Sequence, residues 1–218
     1  MAQFTPEDAV MLVRRNLDEL EPNGSIMYGT DTDNESLDNI IKRHLPDAIN
    51  AVHLAAPVNL LEGEEAVIID ERTSKLADGQ YALDFAIDSE DNFLRLVSLT
   101  FSSNPYYVIT EVVKMGSAES RKQLNPYIRG RYDRPRLVQK PGHGDRDFRL
   151  YSFQSPNDKI TSLHIIKRQD YSADASYYIY SPRLKQNVVD ELTAQVMESF
   201  GDQRAQSFYQ RANIFPTI

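Results

Sequence analysis

Arginine and tyrosine are concentrated in residues 123–137, which read QLNPYIRGRYDRPRL. A guanidinium group can bind a carboxylate or a phosphate through two parallel hydrogen bonds, and tyrosine and arginine are both favoured at the centres of protein interfaces. The pattern therefore fits a protein interface, a nucleic-acid surface or a phosphate clamp. The residues that would do this chemistry are Tyr127, Arg129, Arg131, Tyr132, Arg134 and Arg136.

The distribution of charge narrows these three choices. The chain has a net charge of -8, but residues 1–63 hold 11 acidic and 4 basic side chains, residues 64–100 hold 9 and 3, and residues 121–149 hold 9 basic and 3 acidic ones. A simple DNA-binding protein is more often basic overall, whereas separate acidic and basic patches can attract copies of one chain. We therefore interpret residues 123–137 as a loop that docks on an acidic protein surface; a solvated basic loop is the alternative.

The composition is that of an ordinary globular protein of one large or two small domains. The 218 residues include no cysteine, which excludes disulfides, thiol nucleophiles and thiolate metal ligands. The N-terminal sequence MAQFTPEDAV has no basic region followed by an apolar run, so we expect no signal peptide. No apolar run approaches the roughly 20 residues of a membrane span, and we expect no membrane partner.

Helical signals occupy both ends of the chain. Thr5 followed by Pro6 and two acids predicts a capped helix start, and a second helix is predicted to begin at residues 34–36. Pro46 predicts a kink in that second helix, or a break with a restart at Asp47. Ser181-Pro182 predicts another helix with Gly201 as its C-terminal cap, followed by a last helix at about 202–213.

Between these ends, from residue 66 onward, the apolar pattern has the period of two that is typical of strands. The links between the predicted strands are too short to hold crossover helices, so we expect an antiparallel sheet or small sandwich. The predicted fold class is α+β, with domains at residues 1–63 (helical), 64–180 (β module) and 181–218 (helical). The predicted strands span residues 66–70, 81–87, 93–101, 106–113, 136–140, 148–153 and 162–168.

Signatures of catalysis and metal binding are weak. No nucleophile elbow, P-loop or dinucleotide fingerprint is present in the sequence. His44 and His53 lie nine residues apart, which is not the spacing of two metal ligands on one helical face, so both are interpreted as helix-surface or interface residues. The glycines around His143 and Asp145 are explained by a hairpin turn without an acid–base pair.

Two further patterns have structural explanations. The acidic series Asp31, Asp33 and Glu35 lacks the glycine of a calcium loop and better fits a helix N-terminus. The tyrosine clusters at residues 106–107 and 177–180 could stack on bases, but we favour roles in the core and at interfaces. We therefore predict no enzyme, no cofactor and no metal.

Five segments of the sequence carry a resemblance to a known family. They are SLDNIIKRHLPDAINAVHLAAPVNLL (36–61), DNFLRLVSLTF (91–101), ITEVV (109–113), KQLNPYIRGRYDRPRLV (122–138) and NVVDELTAQVMESFGDQRAQSFY (187–209). Taken together, they resemble the head-to-tail connector proteins of tailed bacteriophages. The likeness is greatest to the adaptor ring proteins of crAss-like phages and related phages of Bacteroidetes hosts, and it covers most of the chain.

This resemblance implies a structural virion protein at the portal–tail junction, assembled in the cytoplasm of the bacterial host. It implies a ring, usually of twelve copies, that docks under the portal protein, meets another connector or tail protein below, and lets genomic DNA pass through its lumen. The β module is larger than in minimal helical adaptors, which puts the transfer of their contacts in doubt. The portal-side residues that the resemblance implies are Phe208, Tyr209, Ile214, Phe215 and Ile218.

A DNA conduit should not bind its cargo tightly, and basic residues in its lumen would bind phosphates strongly. We therefore expect an acidic or neutral lumen, with Arg129, Arg131, Arg134 and Arg136 facing another protein chain. A ring contact joins two different faces of neighbouring copies, which separate acidic and basic regions can supply. The second hypothesis is a nucleic-acid-binding module that uses the arginines and tyrosines of residues 123–137, and the third is a hydrolase centred on His143 and Asp145.

Overall fold

Helices and mainly antiparallel sheets occupy different parts of the chain, so the fold class is α+β, as predicted. The computed structural model describes residues 2–17, 36–131, 133–140, 146–153, 155–172 and 176–216. The chain forms two compact units. We call residues 1–62 and 168–218 the helical unit, because both ends of the chain contribute to it, and residues 63–167 the β unit.

The helices of the described residues are α1 (Pro6–Asn16), α2 (Leu37–Ala55), α3 (Ala118–Lys122), α4 (Lys185–Ser199) and α5 (Ala205–Ala212). The strands of the described residues are β1 (Ala2–Phe4), β2 (Glu64–Glu65), β3 (Ile68–Lys75), β4 (Tyr81–Ile87), β5 (Phe93–Phe101), β6 (Val112–Val113), β7 (Arg136–Gln139), β8 (Asp147–Phe153), β9 (Ile160–Lys167) and β10 (Tyr177–Ile179).

The predicted helix starts in the helical unit are confirmed. The Thr5 hydroxyl accepts a hydrogen bond from the Asp8 N–H at 3.2 Å, and the Ser36 hydroxyl accepts one from the Asn39 N–H at 3.3 Å. Each bond satisfies a backbone donor that has no partner inside the helix. Local sequence therefore determines where α1 and α2 begin.

Of the two expectations at Pro46, the break is wrong, because α2 continues through this residue to Ala55, and the kink stays a prediction. Proline cannot donate the backbone hydrogen bond that the helix would use at that position. Leu45, Pro46 and Ile49 are all buried, and burial of each large apolar side chain contributes about 1.5–3 kcal/mol. Packing of this apolar face thus outweighs the local cost of the proline.

The predicted glycine cap at the end of α4 is confirmed. Gly201 has a φ of +70°, a conformation that costs glycine little and other residues more. Its N–H donates to the Glu198 carbonyl at 2.9 Å, and the Asp202 N–H donates to the Met197 carbonyl at 3.0 Å. This pair of bonds is a Schellman motif, which ends α4 and lets the chain turn into α5.

The helical unit also contains a two-stranded sheet that the sequence analysis did not predict. Strand β1 pairs antiparallel with β10, with Phe4 opposite Tyr177. Both of these aromatic side chains are buried. Because β10 pairs with β1, residues 168–180 belong to the helical unit, whereas the sequence analysis placed them in the β module.

The β unit contains two sheets that share one apolar core. The strand order is β3-β4-β8-β7-β6 in the larger sheet and β2-β9-β5 in the smaller one. All neighbouring strands are antiparallel except β6 and β7, which are parallel. The core combines side chains of the larger sheet, such as Phe85 and Phe148, with side chains of the smaller sheet, such as Leu99 and Ile165.

The predicted strands at residues 81–87 and 93–101 are confirmed residue for residue. Strand β3 begins later than predicted and extends to Lys75. The strand predicted at residues 106–113 is mostly wrong: only Val112–Val113 forms a strand, and Ile109 makes a single bridge to Leu99. Tyr106, Tyr107 and Val108 are instead exposed, so their apolar side chains do not pack in the core of a sheet.

Candidate interaction surface

The arginine-rich stretch is an ordered loop within the β unit. The side chain of Gln123 is buried; its amide oxygen accepts from the Gly130 N–H at 2.7 Å and its amide nitrogen donates to the Glu119 carbonyl at 3.1 Å. The backbones of Arg131 and Arg134 exchange two hydrogen bonds, of 3.1 and 2.9 Å. A buried glutamine and a tight turn therefore order the loop.

Arg129 has its carboxylate partner in its own chain. It is only 6% exposed, and its Nε and Nη2 lie 2.9 and 2.6 Å from the two oxygens of Asp78. Desolvation pushes the pKa of Asp78 upward, but hydrogen bonds from Arg129 and from the Gln80 N–H overcome it, and the pKa is lowered. This corrects the prediction for Arg129, because a guanidinium held in this way stabilises the loop and is not available to a neighbour.

The remaining predicted residues of the loop differ in exposure. Tyr127 is 83% exposed, Arg134 and Arg136 are exposed, and Arg131 is partly buried. The hydrogen bond and charge of Lys122 lower the pKa of Glu119, and the charge of Arg136 adds a smaller effect in the same direction. Tyr132 lies outside the described residues. Among its described residues, the stretch therefore exposes Tyr127, Arg134 and, at the start of β7, Arg136.

Exposed apolar side chains are frequent in the segment that leads into this loop and in the loop itself. Single exposed apolar residues are common on protein surfaces, whereas concentrations of them often mark binding sites. Tyr106 is 96% exposed and Leu124 is 79% exposed. The large apolar side chains exposed between residues 106 and 128 are Tyr106, Tyr107, Val108, Met115, Leu124, Tyr127 and Ile128.

A cleft of about 360 Å³ lies between the α3 region and strands β7 and β8. Met115 and Leu124 contribute apolar side chains from the α3 region, and Val138 and Tyr151 contribute them from the sheet. Both apolar and cationic groups therefore face the space. The lining residues are Met115, Gly116, Ser120, Arg121, Leu124, Val138, Gln139, Lys140, Arg149 and Tyr151.

Two cations of the cleft share one carboxylate, so the three groups together keep a net positive charge. Asp84 accepts from Arg149 Nε and Nη2 at 2.6 Å each, and Lys140 Nζ lies 3.2 Å from it. Burial would raise the pKa of Asp84, but the hydrogen bonds and charges of Arg149 and Lys140 lower it. Arg121 donates to the Gly116 carbonyl at 3.2 Å, and no carboxylate among the described residues forms an ion pair with it.

Sequence reasoning missed Met115, Arg121 and Leu124 as surface residues. The signal available was Ser117, whose hydroxyl accepts from the Ser120 N–H at 3.1 Å and starts α3. This short helix buries none of its own residues, so Met115 and Leu124 on either side of it stay exposed. A capped polar helix between two apolar residues was therefore the pattern to notice.

The residues that the resemblance implies for portal contact also differ in how exposed their side chains are. Phe208 packs in a cluster with Ala194, Met197 and Ala205, and the Arg211 guanidinium covers its ring at 3.8 Å. The Tyr209 hydroxyl donates to Glu198. Both therefore have partners inside the helical unit.

The C-terminal residues beyond α5 are more accessible. Ile214 is 73% exposed and Phe215 is half-buried, while Ile218 lies outside the described residues. The Asn187 amide donates to the carbonyls of Ala212 and Ile214 at 2.7 and 3.0 Å. The described end of the chain thus has a fixed backbone and one open apolar side chain.

Two of the described histidines, His53 and His164, contact other residues of their own unit. The expectation that His53 is a surface or interface residue is wrong, because it is fully buried and its Nε2 accepts from the Tyr180 N–H at 3.2 Å. His164 Nδ1 lies 3.3 Å from the Ser98 hydroxyl. His143, Asp145, Asp31, Asp33 and Glu35 lie outside the described residues.

Within the described ranges, no group of three or more His, Cys, Asp or Glu side chains could hold a metal ion. No described helix is both long and apolar enough to cross a membrane. No known protein-family profile matches the chain, and no curated protein matches it significantly.

Proposed function

We propose that this protein is a structural subunit of a tailed-bacteriophage virion, an adaptor that forms a ring between the portal and the tail and surrounds part of the DNA path. The resemblance of its sequence phrases to phage connector proteins motivates the proposal. The observation that carries it is the surface of residues 106–136, where aromatic and aliphatic side chains are exposed beside arginines. Aromatic residues and arginine are enriched in protein interfaces, so this surface suits an assembling subunit.

The division of the chain supports the same proposal. A helical unit built from both termini and an inserted β unit agree with an adaptor whose helices form the ring body and whose β unit forms a collar. Ile214 and Phe215, at the described end of the chain, are the residues we assign to portal contact. The net charge of -8 suits a conduit through which DNA must slide, because acidic side chains do not bind phosphates.

Microscopy of the assembled chain tests the proposal. Purified full-length protein, alone and mixed with the portal protein encoded in the same genome, should form closed rings in negative-stain images and a matching mass in light scattering. A chain that stays monomeric at high concentration and does not bind the portal would contradict the adaptor function.

A second candidate is a module that binds single-stranded nucleic acid, favoured by exposed Tyr106 and Tyr127 on the same part of the chain as Arg134 and Arg136. Exposed rings can stack on bases while arginines contact phosphates. Fluorescence anisotropy with a labelled oligonucleotide should then show affinity that falls steeply between 50 and 200 mM salt. No measurable affinity at 50 mM salt would rule it out.

A further inference from the structure

The β unit has two sides, which its chain path defines. On one side the chain passes from β2, an edge of the smaller sheet, to β3, an edge of the larger sheet. On the other side Ile109 bridges to edge strand β5, and the chain continues into β6, the opposite edge of the larger sheet. We call residues 64–71 the acidic side and residues 106–136 the aromatic side.

The acidic side exposes carboxylates together with apolar groups. Val67 is 56% exposed and Ile69 is 37% exposed. The side chains of Glu65, Asp70 and Glu71 are also exposed, and no ion pair involves these three carboxylates within the part of the chain that the structure describes. The two bases of β3, Arg72 and Lys75, follow farther along the strand.

Strand β3 is protected against pairing with a strand of another chain. The register between β3 and β4 shifts between Ile69 and Arg72, and Asp70 has a φ of +55°. A bulge and charged side chains on an edge strand prevent regular hydrogen bonding with a further strand. Contact at this side would therefore be made by side chains.

The aromatic side carries the complementary set. Arg121 and Arg134 have no carboxylate partner among the described residues, and Leu124 and Tyr127 are 79% and 83% exposed beside them. Each side thus combines apolar groups with a net charge. Residues 64–71 hold four acids and no base, whereas residues 106–136 hold seven bases and three acids, so the net charges of the two sides are opposite. Complementary charge steers association and sets the register of a contact, while burial of the apolar groups supplies affinity.

We propose that the acidic side of one copy binds the aromatic side of the next copy, head to tail, with Val67 and Ile69 packing at the cleft beside Leu124. Strands β2 and β3 of the acidic side are edge strands, and β6 of the aromatic side and the strand β5 that Ile109 bridges are the opposite edges of the same sheets. Each copy therefore has two different surfaces with which to bind two neighbours. A contact between two different faces forms a ring when its rotation closes. The proposal rests on the adaptor function and assigns its subunit contact.

Two double charge reversals test this contact in the full-length chain. One variant carries Arg121→Glu and Arg134→Glu on the aromatic side, and the other carries Glu65→Lys and Glu71→Lys on the acidic side. Each variant alone would bring like charges together and should weaken self-association by about tenfold or more. A control with Lys159→Glu and Arg183→Glu changes the charge equally at exposed positions outside both sides and should assemble as the wild type does.

Mixing the two variants gives the sharpest outcome. Contacts between unlike variants then bring opposite charges together, whereas contacts between identical variants do not. Native mass spectrometry should show assemblies with equal numbers of both variants, although neither assembles alone. Circular dichroism checks that each variant is folded.

Each other outcome is decisive. Normal assembly of either reversal variant, or no recovery on mixing, overturns this contact while wild-type rings leave the adaptor function standing. A wild-type chain that forms no rings, alone or with the portal, overturns both.

Discussion

The helical unit and the β unit use buried polar side chains differently. In the helical unit these side chains join segments that are distant in sequence: His53 accepts from the Tyr180 backbone, and Thr193 accepts from Asn16 at 3.1 Å. In the β unit, Gln123 and Arg129 are also buried, but both act on one surface loop: Gln123 bonds to Gly130 within it, and Arg129 attaches it to Asp78 in the turn between β3 and β4.

Because of this difference, the loss of a buried polar bond should have different consequences in the two units. Polar bonds between distant segments specify how the helices of one unit pack, so a loss there affects the packing of the unit. Polar bonds inside a loop leave the two-sheet core untouched and hold neighbouring side chains in place. Under our proposals, the β unit therefore combines a stable core with an ordered binding surface, and four predictions test this contrast.

Phe148→Ala should have the largest effect. Phe148 is 1% exposed, and its ring centroid lies 5.5 Å from that of Phe85 and 5.4 Å from that of Phe93. Removing it leaves a cavity between the sheets and should cost about 3–5 kcal/mol of unfolding free energy. Urea denaturation followed by circular dichroism measures this cost.

The matched control for Phe148 is Tyr127→Ala, which removes an aromatic ring that is 83% exposed. Its unfolding free energy should change by no more than about 0.5 kcal/mol. A similar loss in both variants would mean that the ring of Tyr127 packs in the folded chain.

Arg129→Ala should have the next largest effect, because it removes the partner of Asp78 and leaves that carboxylate without its ion pair. Arg129 is buried, but the Asp78 carboxylate reaches solvent, so water can solvate it once the guanidinium is gone. We expect a loss of about 1.5–3 kcal/mol, as for hydrogen bonds to a charged group. Arg134→Ala, from the exposed part of the same loop, should change stability by no more than about 0.5 kcal/mol.

A measurement of self-association distinguishes Arg134 from Arg129 a second time. Arg134→Ala should weaken it, whereas stability should hardly change, and light scattering over a concentration series measures this. Equal stability losses in Arg129→Ala and Arg134→Ala would show that the loop does not divide into a structural and a binding part.

Asn187→Ala tests the helical unit, where one amide holds the chain beyond α5. Its removal leaves two backbone carbonyls without their donor and should cost about 1–3 kcal/mol. The control is Asn213→Ala, since Asn213 is exposed and donates only to the nearby Tyr209 carbonyl at 2.9 Å. If thermal unfolding shows the same change in both variants, the buried amide does not stabilise the unit specially.

The two units should differ in their response to acid, with the smallest effects. Burial would raise the pKa of Asp84 in the β unit, but Arg149 and Lys140 lower it. Asp84 therefore adds stability above its unfolded pKa, and this is lost as pH falls through its lower folded pKa. Burial raises the pKa of Asp190 in the helical unit despite Arg211 and Gln186, so its ionised form costs stability, and the cost disappears as pH falls through the raised pKa.

Comparing Asp84→Asn and Asp190→Asn with the wild type between pH 7 and pH 3 measures both effects. The stability advantage of the wild type over Asp84→Asn should shrink as pH falls. Relative to Asp190→Asn, the wild type should gain stability over the same change. Parallel curves for either variant would contradict the assignment of that carboxylate.

Local patterns in the sequence were sufficient for much of the fold. The caps at Thr5, Ser36 and Gly201 depend on hydrogen bonds within a few residues, and strands β4 and β5 follow from a period of two in their large apolar side chains and from their aromatic content. Such features are confirmed because their energetics lie within one segment. The α+β class follows from the order of those segments along the chain.

Which residues of the arginine stretch are available to a partner depends on contacts that form only in the folded chain. Nothing in the stretch QLNPYIRGRYDRPRL distinguishes its four arginines. In the fold, however, Arg129 binds Asp78, about fifty residues away in sequence, while Arg134 is exposed. The same holds for Pro46, whose helix continues because distant residues bury it, and for His53, which accepts from Tyr180. Local sequence is therefore enough to predict most helices and strands and the uneven distribution of charge. The burial of a side chain depends on long-range contacts, because no local pattern specifies its neighbours in the fold.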